Sequence, residues 1–197
     1  RELTMSKSQF YAYMTKMRLI KRWNIRRATI EENDQKHSLQ VAMIAHALAV
    51  IGKRRFATPY DEGLVLKYAI YHEAAEVITG DLASPIKYFN PGIKTAFKEI
   101  ERIASEKLLG YLPEDLRPEY QPLLFPNDRS GEWRLVKAAD KICAYLKCVE
   151  ELSIGNREFA SAEADIRASL ARLNLPEVDE FMREFAPSFS MPLDQLD

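Results

Sequence analysis

The chain has 197 residues, and its 28 lysine and arginine residues balance 29 aspartate and glutamate residues to a net charge of -1. This balance excludes the strongly basic surface of a typical nucleic-acid-binding protein. No apolar run reaches the roughly 20 residues of a membrane span, and the N-terminal segment lacks the apolar centre of a signal peptide. We therefore expect one cytoplasmic domain over residues 1–197, without a membrane partner and with Cys143 and Cys148 reduced.

Helix-period patterns dominate the chain, and no alternating strand pattern interrupts them. The first pattern, residues 5–20, places Phe10, Tyr13, Met14 and Met17 on one stripe. In chain order, the predicted helices cover residues 5–20, 37–52, 61–79, 92–110, 130–154, 157–173 and 176–185. The sequence therefore predicts an all-α helical bundle.

Three connections separate these helices. The segment 21–36 is polar and is basic at first, so it is predicted as a loop. Thr79-Gly80-Asp81 ends the third helix and opens a turn-rich stretch, and a proline-rich link follows residue 110. Prolines punctuate both connections, at Pro85, Pro91, Pro113, Pro118, Pro122 and Pro126.

Only three histidines are available to a metal site or to catalysis. His37 lies in line with the inward stripe of the second helix, whereas His46, nine residues later, lies half a turn away around the same helix. A straight helix cannot bring both to one site, so we favour His37 and interpret His46 as a structural or surface residue. His72 follows an apolar run and is joined by Glu73 and, one turn on, by Glu76.

Asp140 borders the apolar stripe of the helix predicted over 130–154. Taken alone, it is explained by an ion pair with Lys137 or Lys141, and the acids after His72 by an exposed turn. Taken together, a histidine, a histidine-acid pair and an aspartate on three separate helices form a layout typical of a mixed nitrogen and oxygen metal site. Such ligands suit Mn, Fe, Co, Ni or Zn.

Six segments carry a resemblance to a known family over nearly the whole chain. They read L-I-K-R-W, H-S-L-Q-V-A-M-I-A-H-A-L-A, A-I-Y-H-E-A-A-E-V-I-T-G-D-L, P-I-K-Y-F-N, V-K-A-A-D-K-I-C-A-Y-L-K-C-V-E-E-L and F-A-P-S-F. The pattern resembles the HD-domain metal-dependent phosphohydrolases, and within them the bacterial 5'-deoxynucleotidases, which remove phosphate from deoxyribonucleoside 5'-monophosphates. The resemblance implies an HD-domain helical bundle, one divalent transition metal and a homodimer.

The resemblance also implies roles for individual residues. Glu76 becomes the general acid or base, and Arg22 orients the phosphate. The implied metal ligands are His37, His72, Glu73 and Asp140. The implied substrate-binding residues are Arg22, Trp23, Asp81, Leu82, Ala83 and Ser84, with His37, Glu73 and Asp140 bordering the same substrate. Trp23 and Asp81 are expected to favour a deoxyribose, Trp23 by closing the space for a 2'-hydroxyl and Asp81 by bonding the 3'-hydroxyl.

Four residues depart from the family pattern. Glu73 stands where the family has the aspartate of its His-Asp pair, and Lys36 stands where the family has an acidic residue, so a cation is expected near the metal. Ala83 and Ser84 replace a Pro-Thr step. Two alternatives therefore stay open: a deoxynucleoside triphosphate hydrolase of the same fold, and a non-catalytic nucleotide-binding or regulatory protein.

Overall fold

The structure is a computed structural model that describes residues 7–87 and 89–196. Ten α-helices lie in the described part of the chain, and no strand is found there beyond an isolated bridge between Lys21 and Asn33. The helices are α1 (Phe10–Met14), α2 (Asp34–Arg55), α3 (Glu62–Tyr71), α4 (Glu76–Thr79), α5 (Ser84–Lys87), α6 (Pro91–Gly110), α7 (Arg117–Leu124), α8 (Gly131–Ser153), α9 (Ala160–Ala171) and α10 (Pro176–Glu184). The all-α prediction is confirmed. Among the described residues, no helix has both the length and the apolar character needed to cross a bilayer.

The core forms where α2, α3 and α8 pack against one another. Leu48, Val65, Leu135 and Ile142 are fully buried at this junction. Each such side chain contributes roughly 1.5–3 kcal/mol by leaving water. A second cluster gathers around Phe10 of α1, so the predicted inward stripe of the first helix does reach the interior. These clusters fix the relative positions of the three long helices that carry the site.

Two predicted helices differ from the observed ones near the N-terminus. The first pattern splits into α1 and a 3-10 turn at Thr15–Leu19, and its residues 5 and 6 lie outside the described part of the chain. The second helix begins at Asp34 rather than at 37, because the side chain of Asn33 accepts a hydrogen bond from the backbone N–H of Lys36 at 2.9 Å. An asparagine in this N-cap position satisfies one of the free donors at a helix start.

The helix predicted over 61–79 is interrupted after Tyr71. The backbone N–H groups of Ala74 and Glu76 bond three residues back, to Tyr71 at 2.9 Å and to Glu73 at 3.0 Å, so the chain tightens there into turns. The ring Nδ1–H of His72 donates a hydrogen bond to the backbone carbonyl of Ala69 at 2.7 Å. In a continuous α-helix, that carbonyl would accept from the backbone N–H of Glu73 instead. This break separates α3 from α4 and turns the His-Glu pair towards the neighbouring helices.

Two short helices occupy segments predicted as connections. The turn-rich stretch after Gly80 contains α5, and the proline-rich link contains α7. Pro118 suits the first turn of α7, while Pro122 lies inside it and costs about 3 kcal/mol. Burial of Leu123 and Leu124 contributes about 1.5–3 kcal/mol each and outweighs that cost.

Candidate active site

Four side chains from three parts of the chain converge at one point. His37 lies in the first turns of α2, His72 and Glu73 lie in the turn between α3 and α4, and Asp140 lies in the middle of α8. One ligand-type atom from each of them falls within 4.8 Å of every other. The structure thus brings together the four residues that the sequence singled out, while their role as ligands stays a prediction.

The ring of His72 is oriented so that Nε2 faces this cluster. Its Nδ1–H donates to the carbonyl of Ala69, which leaves Nε2 as the ring nitrogen that can face an ion. Nε2 is buried, has no hydrogen-bond partner and lies 3.3 Å from Oε1 of Glu73. A ring whose one nitrogen is held by a backbone carbonyl while the other is buried without a hydrogen-bond partner has the usual arrangement of a metal-binding histidine.

His37 is fully buried between two carboxylates. Its Nε2 lies 3.0 Å from Oδ1 of Asp140, and its Nδ1 lies 3.1 Å from Oε1 of Glu32. Burial and Arg22 lower the pKa of His37, but Asp140 and Glu32 outweigh them and raise it. A carboxylate behind the outer nitrogen of a metal-binding imidazole orients the ring and makes it more basic. Glu32 is in that place, although the sequence analysis did not single it out.

Arg22 lies beside the cluster, and its largely buried side chain has three acidic neighbours. Its Nε lies 3.3 Å from Glu32, and its Nη1 lies 3.8 Å from both Asp34 and Glu73. Burial lowers the pKa of Arg22, but the charges of Glu73, Asp140 and Glu32 raise it further above its ordinary value. The guanidinium is therefore a permanent cation next to the four ligand-type atoms.

Glu76 and Asp34 form a buried acidic pair next to Arg22. Burial, followed by the charges of Glu73 and Asp34, raises the pKa of Glu76 to about 12. Burial, followed by Glu73, raises the pKa of Asp34 to about 7. These effects favour the protonated form of Glu76, the form that can donate a proton. Asp34 was missed because a single acid at the end of a polar loop reads as a solvated residue.

The residues predicted to bind substrate lie in two segments that a hydrogen bond joins. Trp23 has a positive φ of 58°, its ring N–H donates to Glu32 at 2.9 Å, and its ring centroid lies 5.3 Å from that of Phe159. The side chain of Asn24 donates to the carbonyl of Asp81 at 3.1 Å and so joins the two predicted substrate segments. Leu82 and Ala83 are half-buried, and Ser84 is exposed at the start of α5.

The lysine that contacts the cluster is Lys137, one of the two ion-pair partners expected for Asp140, and not Lys36. Lys36 is exposed, and its ammonium group contacts the carbonyl of Glu31 at 3.5 Å rather than a ligand-type side chain. Lys137 instead contacts Oδ2 of Asp140 at 3.1 Å. His46 is half-buried on the opposite side of α2 and lies 3.5 Å from Glu62, in agreement with its interpretation as a structural or surface residue.

Comparison with known proteins settles the family. A family model described as "5'-deoxynucleotidase YfbR-like" matches residues 9–189. The chain belongs to this family. It is 48% identical to a 5'-deoxynucleotidase of Erwinia tasmaniensis over 96% of both chains, and 46% identical to one of Vibrio vulnificus over 98% of this chain and 100% of the relative. The sequence-based resemblance is thereby confirmed.

Solved structures agree on the fold. An HD-domain phosphohydrolase from Listeria innocua superposes with a TM-score of 0.81 at 20% identity, covering 92% of this chain and 88% of the other. The HD phosphohydrolase of cyanophage S-2L, solved with dA and one catalytic Zn²⁺ ion, gives a TM-score of 0.64 at 19% identity, covering 90% and 95% of the two chains. The HD-domain helical fold is confirmed.

Proposed function

We propose that this protein is a metal-dependent 5'-deoxynucleotidase that hydrolyses deoxyribonucleoside 5'-monophosphates to a deoxyribonucleoside and phosphate. The observation that carries the proposal is the cluster of His37, His72, Glu73 and Asp140 with a permanent cation beside it. Relatives named 5'-deoxynucleotidases, 46–48% identical over nearly the full length, support the same activity. A cytoplasmic location and a homodimer stay predictions.

The donor set fits a single divalent transition metal. Two imidazoles and two carboxylates suit Co, Mn, Zn, Ni or Fe, and the Zn²⁺ of the cyanophage protein supports this class of ion. When bound, such an ion supplies Lewis-acid chemistry at a phosphoryl group and lowers the pKa of a coordinated water. His37 and His72 would hold it through Nε2, and Glu73 and Asp140 through one carboxylate oxygen each.

Arg22 is proposed to bind the phosphoryl group. Its planar guanidinium can give two parallel hydrogen bonds to phosphate oxygens and neutralise part of their charge. Glu32 and Asp34 contact the guanidinium and are themselves largely buried, so they orient it from behind. The charge of Arg22 therefore faces the same space as the four ligand-type atoms.

Glu76 is proposed to supply the proton that the leaving group needs. Water adds to phosphorus, the bond between phosphorus and the 5'-oxygen breaks with its electron pair passing to that oxygen, and the carboxyl of Glu76 protonates it. A proton of the added water then leaves the phosphate product and restores the carboxyl. Burial and the nearby charge of Glu73 raise its pKa and favour the protonated form that this step needs. Removal of such a group typically lowers the rate by about 10²–10⁴.

Selection of the sugar is proposed to depend on Trp23 and Asp81. The ring of Trp23 is held between Glu32 and Phe159, so it forms a fixed wall. A fixed wall can exclude a 2'-hydroxyl, while the carboxylate of Asp81 can accept a hydrogen bond from a 3'-hydroxyl.

Phosphate release from a panel of nucleotides tests the proposal. Metal-stripped protein would be supplied with Co²⁺, Mn²⁺, Mg²⁺ or Zn²⁺ and offered deoxy- and ribonucleoside mono- and triphosphates. We expect release from deoxyribonucleoside monophosphates, and a fall of about 10²-fold or more in kcat for Glu76→Gln with Co²⁺ affinity retained. Glu62→Gln, an equal change at the half-buried start of α3, serves as the control.

Two results would contradict the proposal. Preferential cleavage of triphosphates would assign the chain to the triphosphate hydrolases of this fold. Silence towards every nucleotide with each metal would assign it to nucleotide binding without turnover.

A further inference from the structure

The segment L-K-C-V-E-E-L near the end of α8 has no role in the site described above, yet it contains two buried charges. Lys147 is 6% exposed and Glu151 is fully buried. Nζ of Lys147 lies 2.6 Å from Oε1 of Glu151. Burying an ion pair is costly unless further hydrogen bonds satisfy both groups, so their partners indicate what the pair does.

Those partners belong to the loop that follows Arg22 and Trp23. Glu151 accepts hydrogen bonds from the backbone N–H of Thr29 at 2.9 Å and of Ile30 at 3.0 Å. Lys147 donates to the backbone carbonyl of Ile30 at 2.6 Å. Glu151 therefore binds two backbone donors of the loop, and Lys147 binds one backbone acceptor. Both residues lie more than 110 positions after the loop in the sequence.

A third side chain closes the network. Asn156, just after α8, donates from Nδ2 to Oε2 of Glu151 and to the carbonyl of Arg27, each at 2.8 Å. The carboxylate of Glu151 thus has donors on both oxygens. Its pKa is lowered to about 2: burial raises the pKa, and Lys147 together with the loop amides outweighs that effect. Glu151 is ionised whenever the protein is folded near neutral pH.

The loop needs such an anchor because its functional end is strained. Trp23 has a φ of 58°, a conformation that bulky residues rarely adopt and that persists only where surrounding contacts impose it. Glu32, which bonds the Trp23 ring and contacts both Arg22 and His37, follows Ile30 by two residues. A shift of the backbone at Ile30 would therefore displace Glu32 and, through it, the groups expected to hold the substrate.

One face of α8 carries both Asp140, a ligand candidate, and Glu151, which binds the loop. Glu151 follows Asp140 by eleven residues, which is three turns with about 20° of offset, and it lies about 16 Å further along α8. Asp140 points to the metal cluster, and Glu151 points to the loop. A rigid helix therefore fixes the distance between the metal ligands and the substrate loop.

We propose that Glu151, paired with Lys147, is a positioning residue that fixes the loop of residues 22–32 relative to the metal ligands. In this position, Arg22 and Trp23 can contact the nucleotide while the metal ligands face its phosphate. This inference rests on the proposed nucleotidase function. It predicts a kinetic signature that a purely structural anchor does not give. Partial unfolding lowers the active fraction and thus kcat, whereas a displaced loop weakens substrate binding and raises KM.

The test compares Glu151→Gln with Glu150→Gln, which makes the same change at the adjacent, half-exposed side chain. Glu150 also lies 3.9 Å from Nζ of Lys147, so this control removes a charge beside the lysine while keeping the bonds of Glu151 to Thr29 and Ile30. For Glu151→Gln we expect KM for a deoxyribonucleoside monophosphate to rise about tenfold or more, because a buried charged acceptor of several bonds is lost. We expect kcat to change less than KM and the Co²⁺ dissociation constant to stay unchanged. Hydrogen exchange should show faster exchange at Thr29 and Ile30 with α2 still protected.

A milder variant covers the case in which Glu151→Gln does not fold. Asn156→Ala removes one donor to Glu151 and one bond to the loop, and we expect a smaller rise in KM in the same direction. An unchanged KM in both variants, or unchanged exchange at Thr29 and Ile30, would overturn the proposal. If the wild-type protein releases no phosphate, the nucleotidase function fails, and the dissociation constant of the deoxynucleotide takes the place of KM in the same comparison.

Discussion

At the scale of single residues, Glu73 is the ligand candidate that departs from the family, which has an aspartate at this position. Its side chain is one methylene longer than an aspartate, yet its Oε1 reaches within 3.3 Å of Nε2 of His72 and 3.8 Å of Nη1 of Arg22. Burial raises its pKa, but His72 and Lys137 outweigh burial and hold the pKa below its ordinary value. The longer acid therefore stays ionised and stays in the cluster.

We predict that Glu73→Gln weakens Co²⁺ binding by about tenfold or more, because a neutral amide replaces one of only two anionic donors. Glu73→Asp should retain measurable binding, since the charge is kept. Titration followed by Co²⁺ absorption measures both, with Glu62→Gln as an equal change away from the cluster. Unchanged affinity in Glu73→Gln would remove Glu73 from the proposed ligand set.

The sequence and the structure agree on these residues to different extents. The four ligand candidates were recognisable because histidines are scarce and because each sits beside an apolar stripe. Glu32 and Asp34 were not, because acids in a polar loop usually face solvent and nothing local shows that His37 and Arg22 lie next to them. Their importance arises from contacts that form only after the loop folds against α2.

At the scale of elements, helix starts and breaks decide where the ligands point. The tight turns after Tyr71 direct His72 and Glu73 towards α2 and α8. The predicted uninterrupted helix over 61–79 would not have turned the pair in this way. Apolar periodicity could not foresee this break, since it depends on the ring of His72 taking the carbonyl of Ala69. The start of α2 similarly depends on one side chain, Asn33.

We predict that Asn33→Ala and Asn90→Ala each lower the free energy of unfolding by about 1 kcal/mol, the usual effect of losing an N-cap. Asn33 caps α2 and Asn90 caps α6, with matching bonds of 2.9 Å and 2.8 Å. Only Asn33→Ala should also weaken Co²⁺ binding, because His37 lies one turn inside α2. Urea unfolding and Co²⁺ titration measure the two effects. Equal Co²⁺ affinity in both variants would show that the cap does not position His37.

At the scale of the whole molecule, the ligand candidates come from parts of the chain that only the folded core brings together. His37 is held by α2, Asp140 by α8, and the His72-Glu73 pair by the turn after α3, and these three helices share the main apolar cluster. The helical periodicity predicted this core, and the structure brings the ligand candidates of its separate elements together. An ion that binds all four side chains therefore binds only the folded protein.

Metal binding should accordingly stabilise the whole chain. At a free metal concentration of about 100 times Kd, the gain is about 2.7 kcal/mol, which corresponds to a rise in Tm of about 5–10 °C for a domain of this size. We expect Co²⁺ or Zn²⁺ to produce this rise in scanning calorimetry and a chelator to reverse it. His72→Ala should abolish the metal-induced rise, because it removes a ligand whose free nitrogen faces the cluster. His46→Ala, which deletes a half-buried imidazole from α2, should keep the full rise. A shift that survives in His72→Ala would place the stabilising ion elsewhere, and a shift lost in both variants would separate metal binding from the proposed cluster.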